Sequence, residues 1–533
     1  MRKPYKSSVA CAVLLVSLSP AWVLAQSPTP AGSGLVATFV INRFDVTGDN
    51  PLSNADSARV LAPFVGPGAT LATLQQASAA LEAELKAQGF ALHRVVLPPQ
   101  DMGASVRLNI VKFVIGTITL QGQDQFSEAN IRASLPELRA GAAPNFRTLA
   151  VQTAIANENQ GKQVQVSLKE SEEPDKIDAK LVVKESKPWN FSASLSNMGS
   201  DATGQDRLAL IGGYANLFDL DHQFSGAFTT SLQRHNDVKQ LGLSYRIPLY
   251  RQGGVLGLSY TNSDVEGSFG SFSSSGAGQT YGVSYSHYLP PEGGQRSYIT
   301  VGLDEKRFNA AQINGLVDPL KSDRSSRPLT LGYANRVESD TVMWGYNAEW
   351  VQNIPGGDTN SLAAYQSEDV RITRASWRAV RAGANYLSAF GSGWLWAVRA
   401  QFQLSPDALI SGEQFGLGGV SSLRGTGERA LSGDSGLSAT LEITSAEVLP
   451  GLRVLGFMDA GWLRNRNTDA NPNKPAADQL RSAGLGLRYA AASYAVVADW
   501  GRVLTGSVLG PESGSSIPQA GDQKIHVSVT VRF

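Results

Sequence analysis

Hydrophobic and polar residues alternate with two different periods along the chain, and the change divides it near residue 188. Before that point, apolar residues recur at three- and four-residue spacing between short alternating runs. From Phe39 this pattern predicts one strand through Gly48, then two helices and two strands. The same β-α-α-β-β order returns from residue 114, which predicts two α+β modules, residues 39–113 and 114–186, of about 75 residues each. A single irregular α+β domain is the alternative.

Residues 188–533 alternate with a period of two, so that one face of each segment is apolar and the other polar. We distinguish about sixteen such segments, including RITRASWRAVRAGANYL from Arg371. Connections after odd-numbered segments are long and those after even-numbered segments are short, as in outer-membrane barrels. The pattern predicts an antiparallel transmembrane β-barrel of about 16 strands. A soluble surface sandwich is the alternative, although such a fold has no reason for this asymmetry of the connections.

The two ends of the chain carry different signals. Arg2 and Lys3 precede an apolar run and small residues that end at Ala25, which predicts a signal peptide over residues 1–25. A linker rich in proline, glycine and serine follows at residues 26–38. At the other end, KIHVSVTVRF alternates strictly and closes on Phe533. A terminal aromatic residue resembles the assembly signal of bacterial outer-membrane proteins, which implies a contact with the barrel-assembly machinery.

The composition of the chain argues against several classes of partner and site. Lys and Arg number 46 and so do Asp and Glu, so the net charge is zero and no nucleic-acid partner is expected. Charged residues make up 17% of the chain and there are 54 glycines, a composition typical of many strands joined by turns. The only cysteine is Cys11, inside the predicted signal peptide, so no disulfide or cysteine metal site is expected. The five histidines have no ligand spacing and no catalytic motif is present, so we expect neither an enzyme nor a cofactor or metal site.

A glycine-rich stretch, FGLGGVSSLRGTGERALSGDSG, spans residues 415–436 among the alternating segments. It carries Arg424 near its middle. About thirty residues downstream, Asp459 is the lone acidic residue of the apolar strand GFMDAG. An arginine in a loop and a carboxylate in a strand can form a bidentate pair.

These motifs resemble the transporters of two-partner secretion (TpsB), the hemolysin secretion/activation family of the outer-membrane insertase superfamily. That family has an exported signal, two periplasmic POTRA modules of β-α-α-β-β order and a barrel of sixteen strands. Its long sixth outer loop folds into the barrel and carries a V-R-G-[YF] tip. The resemblance covers the whole chain after the signal peptide and implies the same architecture here, with residues 405–435 as the sixth loop.

The resemblance also implies functional residues. Arg424 and Gly425 match the tip, Leu423 replaces valine, and Thr426 stands where the family has an aromatic ring. Asp459 matches an acidic position on the thirteenth strand, the implied partner of the loop arginine. The tip is followed in the loop by further gate candidates, Glu428 and Asp434. In a water-filled lumen, the arginine–carboxylate pair is expected to contribute about 1 kcal/mol.

The function implied is an outer-membrane pore that takes an unfolded exported partner protein from the periplasm, through its POTRA modules, to the surface or medium of a Gram-negative cell. The partner would be a large TpsA-like protein of the hemolysin or adhesin type, and outer-membrane lipid would surround the barrel. The plug helix that some members of the family carry is not expected, because residues 26–38 leave little room for it. An insertase for other barrels is the first alternative function, and a passive porin or surface receptor is the alternative of another class.

Overall fold

The computed structural model describes residues 38–533 except 102, 201–202, 270, 311, 314–315, 318–321, 472–473 and 514–515. The predicted signal peptide, nearly all of the linker and the question of a plug helix therefore lie outside the described residues. Within the part of the chain that is described, no helix has the length and apolar character needed to cross a membrane.

The first module is a three-stranded sheet covered by two helices, in which Leu81, Leu85 and Leu108 are fully buried. Its sheet has the order β2-β5-β4, with β2 and β5 parallel. The prediction of one strand from Phe39 to Gly48 is wrong: the strand breaks at Asn42, and its first part pairs with a short strand that the sequence pattern did not predict. The elements are β1 (Phe39–Ile41), β2 (Arg43–Gly48), α1 (Asn54–Leu61), a 3₁₀ turn (Ala62–Phe64), β3 (Gly66–Ala69), α2 (Leu71–Ala87), β4 (His93–Val96) and β5 (Ser105–Lys112).

The second module repeats this plan with the sheet order β6-β8-β7 and a core that includes Ile115, Ile131 and Leu181. Leu92 of the first module packs into that core, and the Phe146 N–H donates to the carbonyl of Gly89 at 2.8 Å, so the two modules are in direct contact. The elements are β6 (Val114–Gln121), α3 (Glu128–Ser134), α4 (Phe146–Ala156), β7 (Lys162–Glu170) and β8 (Lys176–Glu185).

Sixteen antiparallel strands then close into a barrel, in which the last strand pairs with the first. Strand 8 is interrupted only at Arg327. Numbered in chain order, the barrel strands are Trp189–Ser196, Arg207–Leu217, His222–Thr230, Lys239–Leu249, Gly254–Ser263, Gly278–Tyr288, Gln295–Phe308, Arg324–Ser326 with Pro328–Glu338, Val342–Asn353, Arg378–Phe390, Trp394–Leu404, Ser435–Thr444, Leu452–Arg464, Ala477–Ala490, Tyr494–Thr505 and Gln523–Arg532.

The predicted barrel and its strand number are confirmed. Along strand 13 the exposed Val454, Met458 and Trp462 alternate with inward residues such as Asp459, because successive side chains of a strand point to opposite faces. Short elements lie in the connections: hairpins Glu266–Phe269 with Phe272–Ser275, Gln312–Ile313 with Leu316–Val317, and Phe415–Leu417 with Leu431–Gly433; a helix Leu362–Glu368; and 3₁₀ turns Tyr250–Gln252, Ser411–Glu413, Thr468–Ala470 and Pro511–Ser513.

One predicted strand begins later than expected. The segment predicted from Arg371 becomes a strand only at Arg378. Residues 371–377 belong instead to the fifth outer connection, where Ile372 and Trp377 are completely buried. They pack with Leu409 and other apolar residues at the start of the sixth connection, so tertiary packing overrides the local alternation.

Candidate functional site: loop 6 inside the barrel

The connection between strands 11 and 12, residues 405–434, is called loop 6 here. Its hairpin brings Leu417 and Leu431 against Leu463 of strand 13 and Leu480 of strand 14, and these residues form one buried cluster. Leu463 and Leu480 both belong to the inward-facing residues of their strands. Loop 6 therefore lies inside the barrel, along the wall formed by the last strands.

Arg424 is bound to Asp459 by three hydrogen bonds. Its Nε and Nη2 donate to the two carboxylate oxygens at 2.9 and 2.8 Å, and its main-chain N–H donates at 3.0 Å. The two residues are 1% and 2% exposed. The expectation of a water-filled environment is thus wrong for this pair. In a buried pair, removal of one partner leaves an uncompensated charge, which costs about 3–5 kcal/mol rather than the value for an exposed pair.

Other wall residues that sequence reasoning missed complete the site around Arg424. Its Nη1 donates to Glu442 of strand 12 at 2.6 Å, and its guanidinium carbon lies 3.5 Å from the centre of the Phe457 ring. Glu442 also pairs with Arg399 at 3.0 Å, and Asp499 of strand 15 lies 3.9 Å from Arg424. Glu442 is the lone acidic residue of its strand, the same signal that identified Asp459. Phe457 lies two positions before Asp459 on the same face.

Glycine allows the loop tip to touch the barrel wall through its backbone. Gly425 has φ +93°, and a Cβ atom there would lie 2.9 Å from the main chain of Gly501 on strand 15. A Cβ atom on Gly501 would in turn lie 2.6 Å from the Gly425 nitrogen. The Gly425 N–H donates to Nε2 of His526 on strand 16 at 3.2 Å. Strands 13, 15 and 16 thus all contact the tip.

Thr426 takes part in folding the tip, at the position where the resemblance implies an aromatic ring. Its hydroxyl donates to the carbonyl of Leu423 at 2.8 Å and accepts the N–H of Gly419 at 3.1 Å. Leu423 and Thr426 are 0% and 4% exposed. The carboxylate of Glu428 accepts the Val420 N–H at 3.0 Å, so this side chain also joins the two ends of the tip segment.

Asp434 lies at the opposite end of loop 6, away from the tip. Its carboxylate binds Nη1 of Arg371 at 2.8 Å, and both side chains are 0% exposed. It also accepts the main-chain N–H groups of Leu409 and Arg466 at 2.9 and 2.8 Å. The structure therefore does not bring Asp434 to Arg424; it joins the base of loop 6 to the fifth and seventh outer connections. The sequence gives no signal for Arg371.

Phe533 is far from this site, at the seam where the barrel closes. Its N–H donates to the carbonyl of Phe191 at 3.0 Å, the ring centroids of the two residues are 5.4 Å apart, and Phe533 as a whole residue is 64% exposed. An exposed terminal ring on strand 16 is compatible with the predicted assembly signal, which stays a prediction.

A buried polar cluster joins the second module to the periplasmic end of the barrel. Nζ of Lys162 lies 2.6 Å from Asp221, in the turn between strands 2 and 3, and the side chains are 0% and 2% exposed. Asp221 also accepts from Tyr250 at 2.6 Å and from Asn130 at 3.1 Å. Burial lowers the pKa of Lys162 below its usual value, although the charge of Asp221 opposes that shift.

An apolar contact surrounds the cluster. Helix α4 packs its residues Val151, Ile155 and Ala156 against Tyr250 and Tyr288 of the barrel. Next to them, Glu158 pairs with Arg246 of strand 4 at 2.8 Å. Charges and apolar residues together fix the second module against the barrel entrance. The sequence pattern had predicted both bodies but not this contact.

Loop 6 leaves part of the barrel interior open. A cavity of about 900 Å³ lies beside it and is lined by residues of strands 4–7 and 9–12, of the third outer connection and of loop 6 itself. Representative residues that line the cavity are Ser244, Thr261, Gln279, Asp304, Arg381 and Gln401.

Among the described residues, no group of three or more His, Cys, Asp or Glu side chains could hold a metal ion.

A closed barrel of sixteen strands, two α+β modules before it and a loop held inside its lumen define an outer-membrane transport protein. The comparison with known families agrees. The haemolysin secretion/activation protein family ShlB/FhaC/HecB matches residues 175–489, and the POTRA domain of ShlB type matches residues 39–112. The chain belongs to this family of transporters for partner proteins (TpsB); it is a protein of the outer membrane, with its POTRA modules in the periplasm.

Individual relatives agree with this assignment. The outer membrane transporter CdiB of Escherichia coli is 22% identical over 460 residues, which cover 84% of this chain and 76% of the relative. CdiB of Dickeya dadantii (strain 3937) is 25% identical over 399 residues, 72% of this chain and 68% of the relative. Solved structures of CdiB from Escherichia coli and Acinetobacter baumannii superpose with TM-scores of 0.72 and 0.70, at 20% and 19% identity. Each comparison covers 95% of this chain and 93% of the other.

Proposed function

We propose that this transporter captures one large, unfolded partner protein in the periplasm and passes it through the barrel to the cell surface or medium. Residues 39–113 and 114–186 would act as docking modules, and residues 188–533 as the pore. The burial of Arg424 against Asp459 inside the lumen carries the proposal, because it makes loop 6 a structure that a passing polypeptide must displace. Outer-membrane lipid and, during biogenesis, the barrel-assembly machinery would be further partners.

Strand β7 supports capture by strand addition. Its Val164 N–H points away from the sheet and donates to the side chain of Asn157 at 2.6 Å. Because strand geometry repeats every two residues, the N–H groups of Val166 and Leu168 point the same way. Among the described residues, neither group has a hydrogen-bond partner on that side. An extended segment of the partner could therefore add to this edge, and β7 begins at Lys162, beside the barrel entrance.

The polar cavity beside loop 6 supports passage through the barrel. Polar walls suit an unfolded chain, whose main-chain groups need hydrogen-bond partners throughout. Displacement of the tip would add its volume to the cavity. No nucleotide site is predicted from the sequence, so folding of the partner outside the cell would supply the driving force.

The test replaces Arg424 and Asp459 singly by alanine in the native host and compares the proteins released from the cells by mass spectrometry. We expect one large protein to disappear from the surface and medium with either variant, while the barrel remains inserted and heat-modifiable. Arg374→Ala is the matched control, because this arginine of the fifth outer connection is 54% exposed and contacts Asp407 at the base of loop 6, at 3.4 Å, rather than the tip. Unchanged release with both variants would refute the gate. A general loss of outer-membrane proteins would favour an insertase instead.

A further inference from the structure

Three arginines project from the outer surface of neighbouring strands 13, 14 and 15. Arg464, Arg481 and Arg502 are all exposed. They share the strand faces of Trp462, Leu485 and Trp500, which are also exposed. These are the lipid-facing sides of the strands, since the opposite faces carry the buried inward residues.

All three arginines lie towards the outside of the cell. Strand 13 ends at Arg464 on the outer side. Tyr489 and Tyr494 lie beside the periplasmic turn that joins strands 14 and 15. Arg481 lies eight residues from Tyr489 along strand 14, and Arg502 lies eight residues from Tyr494 along strand 15. For tilted strands this separation is roughly 20 Å, close to the outer edge of an apolar band about 25 Å tall.

Arg481 and Arg502 are close enough to bind one ligand. Arg502 pairs with Ala483, two positions along strand 14 from Arg481. Such diagonal neighbours are about 7–8 Å apart, within reach of two arginine side chains. Ala460 of strand 13 pairs with Arg481, and Arg464 lies four residues further out, so it offers a second contact roughly 13 Å away along the strand.

These three arginines have no carboxylate partner in the part of the chain that the structure describes. Among the described residues, none of the three side chains makes a hydrogen bond or an ion pair with the protein. The outer-rim Arg307 and Arg327 of strands 7 and 8 differ, because both pair with Glu305, at 3.8 and 2.6 Å. Unpaired charges beside lipid are unfavourable, and at the outer edge of the apolar band the phosphates of lipid headgroups can supply the missing negative charge.

We propose that Arg481 and Arg502, with Arg464 as a further contact, bind the phosphate groups of an anionic lipid in the outer leaflet of the outer membrane. The planar guanidinium group can donate two parallel hydrogen bonds to a phosphate, and two such groups can hold one phosphate between them. Trp462 and Trp500 flank the site with the amphipathic rings that favour the headgroup level.

The position links this lipid site to the gate. Gly501, the residue before Arg502, touches the tip of loop 6 on the inner face of the same strand. A phosphate held by Arg481 and Arg502 joins strands 14 and 15 from outside at the level where the tip rests inside. Bound lipid therefore stiffens the part of the wall that holds the tip. This role rests on the proposed gate, whereas lipid binding itself does not.

The test uses the full chain in nanodiscs that contain lipid A with both phosphates, and counts retained lipid by native mass spectrometry after transfer to detergent. We expect Arg481→Gln/Arg502→Gln to retain about tenfold less lipid A than the wild type, a difference of about 1.4 kcal/mol. Arg307→Gln/Arg327→Gln removes two positive charges elsewhere on the rim and is the matched control. Heat-modifiable migration checks that each barrel is folded.

Three outcomes would overturn the site. Equal retention by the wild type and the Arg481/Arg502 variant would show that these arginines do not bind the lipid. Equal retention of lipid A and its dephosphorylated form by the wild type would show that phosphate is not recognised. A loss of the same size in the control would reduce the result to overall charge. Normal lipid binding together with unchanged secretion in Arg424→Ala would refute the gate alone and leave this lipid site intact.

Discussion

Replacement of Lys162 by methionine should release the second POTRA module from the barrel without unfolding either part. Methionine fills a similar volume but carries no charge, so Asp221 loses the ammonium group that lies 2.6 Å away. In the docked state Tyr250 and Asn130 still donate hydrogen bonds to Asp221. The change therefore removes one buried charge and leaves its partner hydrogen-bonded but uncompensated.

The structure sets the size of the effect. Removal of one partner of a buried ion pair costs about 3–5 kcal/mol, and the remaining donors to Asp221 favour the lower end. A cost of about 3 kcal/mol changes the ratio of docked to undocked modules by more than a hundredfold. Lys162→Met/Asp221→Asn should recover part of this cost, because neither partner is then a buried unpaired charge.

Pulsed electron–electron double resonance between two spin labels can measure directly whether the second module is docked on the barrel. Residues 38–533 contain no cysteine, so labels at Lys180→Cys and Glu292→Cys, both exposed, report the distance from the module to a periplasmic turn. We expect one narrow distance distribution in the wild type and a broad one in Lys162→Met. The exposed Lys169→Met is the control. A distribution in Lys162→Met as narrow as that of the wild type would refute the reasoning that this ion pair fixes the module.

Two further outcomes follow from the gate and from strand β7. Gly501→Ala should displace the loop tip, because its Cβ atom would lie 2.6 Å from the Gly425 nitrogen. We therefore expect this variant to show a larger single-channel conductance in planar bilayers. Gly456→Ala, where the nearest atom is 4.0 Å from the added Cβ, should conduct like the wild type. Val166→Pro should reduce secretion while the module stays folded, since proline removes an outward N–H that strand addition would use; equal secretion would argue against capture at this edge.

Much of the architecture could be predicted from the sequence because strand and helix periods differ. Segments such as that from Trp189 alternate so regularly that the barrel and its sixteen strands were predictable. The lone carboxylate of strand 13, Asp459, could be selected for the same reason: a charge within an apolar alternation must face the lumen or find a partner. The local alternation misled at Arg371, which lies in a connection rather than a strand.

The sequence alone determined which residue types were available to the gate: a glycine-rich loop with Arg424, and a strand with Asp459. Only the tertiary structure decided their surroundings. Strands 12–16 exclude water from the tip, so the Arg424–Asp459 pair is buried rather than solvated. Arg424 also contacts Glu442 and Phe457 of these strands. The physical reason is that closure of the barrel brings together residues far apart in sequence, such as Gly425 and His526, and local pattern carries no information about such contacts.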